Sequence, residues 1–153
     1  MIGSLSFVTK RMGQMPLGNY PSICAPNAQI IVSRDVGNRE HRGLNPNQCH
    51  VTHYKIDGVI ITTGPRCDFV LINEFKKIAY LIELKGSKLS DAARQLEATK
   101  NALKNALDPY DLRYRIVSSR SKTQQIESAD FKKYRERWKS RLVYRTNEIE
   151  EKI

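Results

Sequence analysis

From residue 51 onward the chain is built of dense apolar runs separated by short polar breaks. "VTHYKIDGVIITT" (51–63), "CDFVLIN" (67–73) and "IAYLIELK" (78–85) are rich in β-branched and aromatic residues, and the turn "TGPR" (63–66) and the polar "EFKK" (74–77) divide them. That pattern predicts a three-stranded meander. Next, Ala92, Leu96, Thr99, Leu103, Ala106 and Leu107 recur at helical spacing until "DPY" stops the run, with Ser90 as N-cap and Asp91 in the first turn. "LRYRIV" (112–117) alternates like a further strand, and "SSRSKTQQ" (118–125) reads as a polar, basic loop. Ser128 caps a second helix striped by Phe131, Tyr134, Trp138 and Leu142, and "LVYRTNEIEEKI" (142–153) reads as a short strand with a frayed tail. Prolines 16, 21, 26 and 46 and several glycines make residues 1–47 loop-rich, with "AQIIVS" (28–33) as the strand among them. This order predicts an α/β (α+β) domain, a central mixed sheet with flanking helices and a core over about 51–145. At 153 residues one domain, 1–153, is expected.

Two acids sit at the ends of the apolar runs. Alternation along a strand puts Leu81, Glu83 and Lys85 on one face, and Asp68, Val70 and Ile72 on one face of the run before. If Asn73 pairs with Ile78 across "EFKK", partners have numbers that sum to 151, and Asp68 falls opposite Glu83. Carboxylates directly across a strand pair have Cβ atoms about 5 Å apart and repel each other unless something neutralises them. A divalent cation does so, since Mg²⁺ takes one or two carboxylates plus water and phosphate oxygens. Lys85, about 7 Å along the strand, is near enough to act on a metal-bound water or a phosphate. The plainer reading is that Asp68 and Glu83 end strands in water and Lys85 is a solvated partner.

Hydrophobic residues make up 40% of the chain and charged ones 27%, and no apolar run approaches the roughly 20 residues that span a bilayer. The first residues lack the pattern of a secretory signal, so a cytoplasmic protein is expected. The three cysteines are odd in number and have no CxxC spacing, which fits free thiols in a reducing compartment. Lys and Arg number 26 against 16 Asp and Glu, a formal charge of +10 that favours a polyanionic partner.

Asp68, an interval of fourteen residues, and "ELK" at Glu83 to Lys85 resemble the PD-(D/E)xK nuclease superfamily, with its restriction-endonuclease-like fold. The resemblance covers about residues 54–117, where a meander, a helix and a further strand follow in the family's order. It implies a phosphodiester-hydrolysing endonuclease in which Asp68, Glu83 and the Leu84 carbonyl bind Mg²⁺ or Mn²⁺ while Lys85 orients or activates water. Gln95, on the following helix, matches a glutamine that several branches use; it reads equally as an exposed helical residue. "RC" stands before Asp68 where the family has a proline. The family's first helix often supplies another Glu, and Glu40 in "RDVGNREHRG" is the candidate in this irregular region. Asp57 is another nearby acid, beside a Gly58 that marks a bulge or turn.

His41, Cys49, His50, His53 and Cys67 match no usual zinc spacing. No nucleophile has a recognisable base, and no Gly-rich phosphate loop occurs. Lys88, Arg94, Lys132, Lys133 and Arg137, with Lys100 and Lys104, make basic helix surfaces suited to contacts along a nucleic-acid backbone, DNA ahead of RNA. The alternative is a catalytically inactive nuclease-fold module that binds nucleic acid or a protein. One small cleft cuts one strand, so double-strand cleavage would require a homodimer or larger complex.

Overall fold

The computed structural model describes Leu17, residues 20–85, 88–119 and 123–153; the Lys85 side chain is outside that set. The meander is β3 (Val51–Lys55), β4 (Phe69–Asn73) and β5 (Ile78–Lys85), preceded by β1 (Ile30–Arg34) and β2 (Glu40–Leu44). Helices α1 (Leu89–Ala102) and α2 (Lys104–Leu107) lead to β6 (Asp111–Ser118). Then come α3 (Thr123–Ile126), α4 (Ala129–Trp138), a 3₁₀ turn (Lys139–Arg141), β7 (Leu142–Thr146) and β8 (Glu148–Lys152).

Two mixed sheets result, one ordered β3-β4-β5-β6-β7 and the other β1-β2-β8. The β5–β6 and β6–β7 pairs are parallel, each joined through a helical crossover, while β3–β4 and β4–β5 are antiparallel. Strands β4 and β5 pair as the sequence predicts, from Asn73↔Ile78 to Phe69↔Ile82. The hairpin turns where the Asn73 side-chain oxygen accepts from the N–H groups of Phe75 (3.1 Å) and Lys76 (2.9 Å).

Alternate residues of β4 and β5 enter two separate cores. Val70, Ile72, Ala79 and Leu81 pack against Ala92, Ala93 and Leu96 of α1 and Phe131 and Trp138 of α4. Phe69, Leu71, Tyr80, Ile82 and Leu84 pack against Ile31, Ile149 and Ile153. The larger sheet is thus covered by helices on one face and by the smaller sheet on the other, which explains why both of its central strands are apolar throughout.

Several expectations need correction. The predicted first strand, 51–63, ends at Lys55: Gly58 takes a positive φ of 77°, and the Ile56 carbonyl accepts from the N–H groups of Ile60 (3.1 Å) and Ile61 (3.0 Å), which closes a turn. The N-cap position of α1 is Lys88, not Ser90, and Leu103 (φ −106°, ψ 23°) divides the expected single helix. Residues 118–125 are not all loop, since α3 begins at Thr123. Among the described part of 1–47, "EHRGL" is a strand beside "IIVSR", and the supposed frayed tail is β8, paired in parallel with β2. Ser128 does cap α4, accepting from the Phe131 N–H at 3.2 Å.

Among the described residues no helix is long and apolar enough to cross a membrane.

Candidate functional site

Asp68 stands immediately before β4 and is held from three directions. Its N–H donates to the Ile82 carbonyl of β5 (3.1 Å), and its own carbonyl accepts from the Ile56 N–H (2.8 Å) just past β3. The preceding residue, Cys67, donates its N–H to Thr99 Oγ1 (2.7 Å), and that hydroxyl donates to the Gln95 carbonyl (3.0 Å) in α1. The ladder therefore stops at Phe69↔Ile82, and Asp68 is not the strict cross-strand partner of Glu83 that simple extrapolation gives. Its carboxylate still turns to β5: Oδ2 accepts from the Leu84 N–H at 2.7 Å.

The Glu83 carboxyl lies within hydrogen-bonding reach of Asp68. Glu83 is only 3% exposed and Asp68 is half-buried, so the reading of two carboxylates ending strands in open water does not hold. Burial pushes the Asp68 carboxyl above the usual carboxylate range, against the lowering effect of the Leu84 N–H and the Glu83 hydrogen bond. The nearby Asp57 charge raises it further and Lys55 opposes that. The chain thus brings acidic groups together where its own groups only partly balance them.

Lys85 ends β5 opposite Ser118 in β6. Gln95, half-buried on α1, lines a cleft of about 390 Å³ together with Asp57, Gly64, Pro65, Arg66 and Arg94. Asp57 accepts from Arg66 Nε at 2.7 Å, so it is a turn residue fixed at the cleft wall and not a strand residue. Glu40 is not brought to the acids: it opens β2 in the other sheet and pairs with Arg34 (2.8 Å) and Arg42 (3.6 Å). The basic residues divide between α1 and α4. Lys88 is exposed at the α1 cap and Arg94 pairs with Asp91; on α4, Lys132 pairs with Glu127 (3.4 Å), Lys133 is exposed, and Arg137 reaches across to Glu97 of α1.

Comparison with family models, with curated proteins and with solved structures finds no match. The chemistry of the site must then be read from its own donors. Among the described residues no three His, Cys, Asp or Glu side chains converge as a metal set. His41 Nε2 lies 2.7 Å from Glu151 and His53 Nε2 lies 2.9 Å from Ser33 Oγ, so each buried imidazole has its partner away from Cys67. Asp68 and Glu83 offer hard oxygen donors, which suit Mg²⁺ or Mn²⁺ when water and phosphate complete the shell. Thr99 and Arg66 are the positions that sequence reading missed: Thr99 appears there only as one more member of a helical stripe, and Arg66 only as part of a turn.

Proposed function

We propose that this protein is a metal-dependent nuclease that hydrolyses phosphodiester bonds, DNA ahead of RNA. The observation that carries the proposal is the pair Asp68 and Glu83, two carboxyls within hydrogen-bonding reach at the end of a rigid strand pair, one of them almost fully buried. The order β3-β4-β5-α1-β6 supports a restriction-endonuclease-like reading of the core.

In this reading Asp68, Glu83 and the Leu84 carbonyl would hold Mg²⁺ or Mn²⁺. When bound, such a cation supplies Lewis-acid polarisation of the scissile phosphate and a more acidic water. The protein's part is to fix the donors. Strand β5 carries Glu83, Leu84 and Lys85 consecutively; the Leu84 N–H and the Ile82 carbonyl hold Asp68 against them, and the Thr99 hydroxyl holds the preceding Cys67. Lys85 is assigned to orient the attacking water, and Gln95 and Arg66 border, with Asp57, the space that a phosphate would occupy.

A second reading, a nuclease-fold module that binds without cutting, draws on the position of Glu40. The acid expected to supplement the site lies on the other sheet, leaving two carboxylates as the donors near one another.

Incubation of the protein with plasmid and labelled oligonucleotides, in Mg²⁺ and in chelator, separates these readings. Cleavage in Mg²⁺ alone is expected, and Glu83→Ala should lower it on the order of a hundred-fold or more. Equal cleavage by wild type and variant in every condition rejects the metal mechanism, and no cleavage favours the binding module. Any cut through both strands is expected to require a homodimer, so blunt double-strand breaks by a strict monomer would contradict the single-site account.

A further inference from the structure

Helix α1 carries one arginine that belongs to two clefts. On one side Arg94 lines the 390 Å³ space with Asp57, Arg66 and Gln95, and the Asp57 charge acts on Asp68. On the other it lines a groove of about 230 Å³ between α1 and α4, with Ser90, Asp130, Lys133, Tyr134 and Arg137. Together the two spaces present four cations, Arg66, Arg94, Lys133 and Arg137, against two acids, Asp57 and Asp130.

The cations differ in how they are held. Arg66 is fixed at the inner end, donating from Nε to Asp57 (2.7 Å) and from Nη1 to the Gly64 carbonyl (2.9 Å), so the plane of its guanidinium is set against Asp57, the acid whose charge acts on Asp68. Farther out the side chains lie open to solvent, Arg94 at 60% exposure and Arg137 at 51%. Both are held in solvent-exposed ion pairs, Arg94 with Asp91 and Arg137 with Glu97, which a phosphate can replace at little cost, while Lys133 is exposed. A fixed guanidinium at the inner end and exchangeable cations farther out are what a polyanion needs: geometric grip at one phosphate, and charge neutralisation along the approach. The two clefts share Arg94, and the inner one is lined by Asp57, whose charge raises the pKa of Asp68.

We propose that the two clefts form one track for the phosphodiester backbone of a polynucleotide, running from the α1–α4 groove over Arg94 to Arg66 and the acids. The proposal rests on the nuclease reading for the end point of the track. The contacts are to phosphates, so binding is independent of base sequence.

The test is binding without divalent ions, which stands whether or not the protein cuts. Fluorescence anisotropy with a labelled single strand, and with the duplex of the same sequence, is measured in chelator over a range of salt. The proteins are wild type, Arg66→Gln, Arg94→Gln, Lys133→Gln and, as a control of equal charge change, Lys152→Gln on exposed β8 of the other sheet. Each track variant is expected to weaken binding about three- to ten-fold and to reduce the slope of log affinity against log salt by about 0.7 to 0.9. The control should change neither. A loss on one nucleic-acid form alone supports the track and identifies the form it takes. Equal losses in control and track variants, no loss in any of them, or no binding by wild type overturns the proposal.

Discussion

Glu151 is the residue whose charge state most directly reports how the two sheets are joined. Burial alone would raise its pKa, but His41 Nε2 (2.7 Å), Arg115 Nε (2.7 Å) and Arg115 Nη2 (3.0 Å) donate to it, and these bonds together with the Arg115 charge bring it down to about 2. A carboxyl depressed in the folded state gives stability above its unfolded value, about 4.5, that is lost as pH falls toward 2. His53 acts in an earlier window. Burial, assisted by the His41 charge, lowers its pKa from 6.5 to about 4, so the unfolded chain takes up a proton first and stability falls as pH drops through that range. Urea midpoints measured from pH 7 to pH 2 should therefore decline in two stages. Glu151→Gln should be less stable than wild type at neutral pH, with the difference vanishing near pH 2; a pH-independent difference would contradict the assignment.

At the scale of elements, Thr99 links helix to site. Its hydroxyl accepts from the buried Cys67 N–H and donates to Gln95, so α1 fixes the residue next to Asp68. Thr99→Val keeps the shape but leaves that N–H without its acceptor, and chemical denaturation should show a loss of about 1 to 3 kcal/mol. Cleavage should fall with it while nucleic-acid affinity in chelator holds; an unaltered rate would show that Asp68 does not depend on the helix. The elements that place the acids were legible in the sequence because alternation and a four-residue loop with Asn73 determine the β4–β5 register. The bulge-like offset at Asp68 was not, since it depends on the Ile56 and Ile82 backbone groups. Strands β2 and β8, "EHRGL" and "EIEEK", carry few apolar residues. What they bury includes His41, which pairs with Glu151 instead of adding to a hydrophobic pattern, so periodicity gives no sign of them.

At the scale of the whole molecule, Arg115 ties the layers on the side away from the helices. It is 4% exposed in β6, donates to Glu151 of β8, and gives a further bond to the Arg141 carbonyl (2.7 Å). The face toward the helices ends at Asp68, Glu83 and the two clefts that meet at Arg94. The smaller sheet thus lies on one side of β5, and on the other lie the helices whose clefts carry Arg66, Arg94, Lys133 and Arg137. A carboxyl pair with Glu83 buried and Asp68 half-buried is costly to the fold unless a ligand offsets it, and the proposed nuclease reading assigns that ligand as a divalent cation. A crystal soaked in Mn²⁺ tests this most directly. The account predicts an anomalous peak at about 2.0–2.3 Å from carboxylate oxygens of both Asp68 and Glu83; a structure in which the ion is absent from that pair, or in which the two side chains part to separate partners, would contradict it.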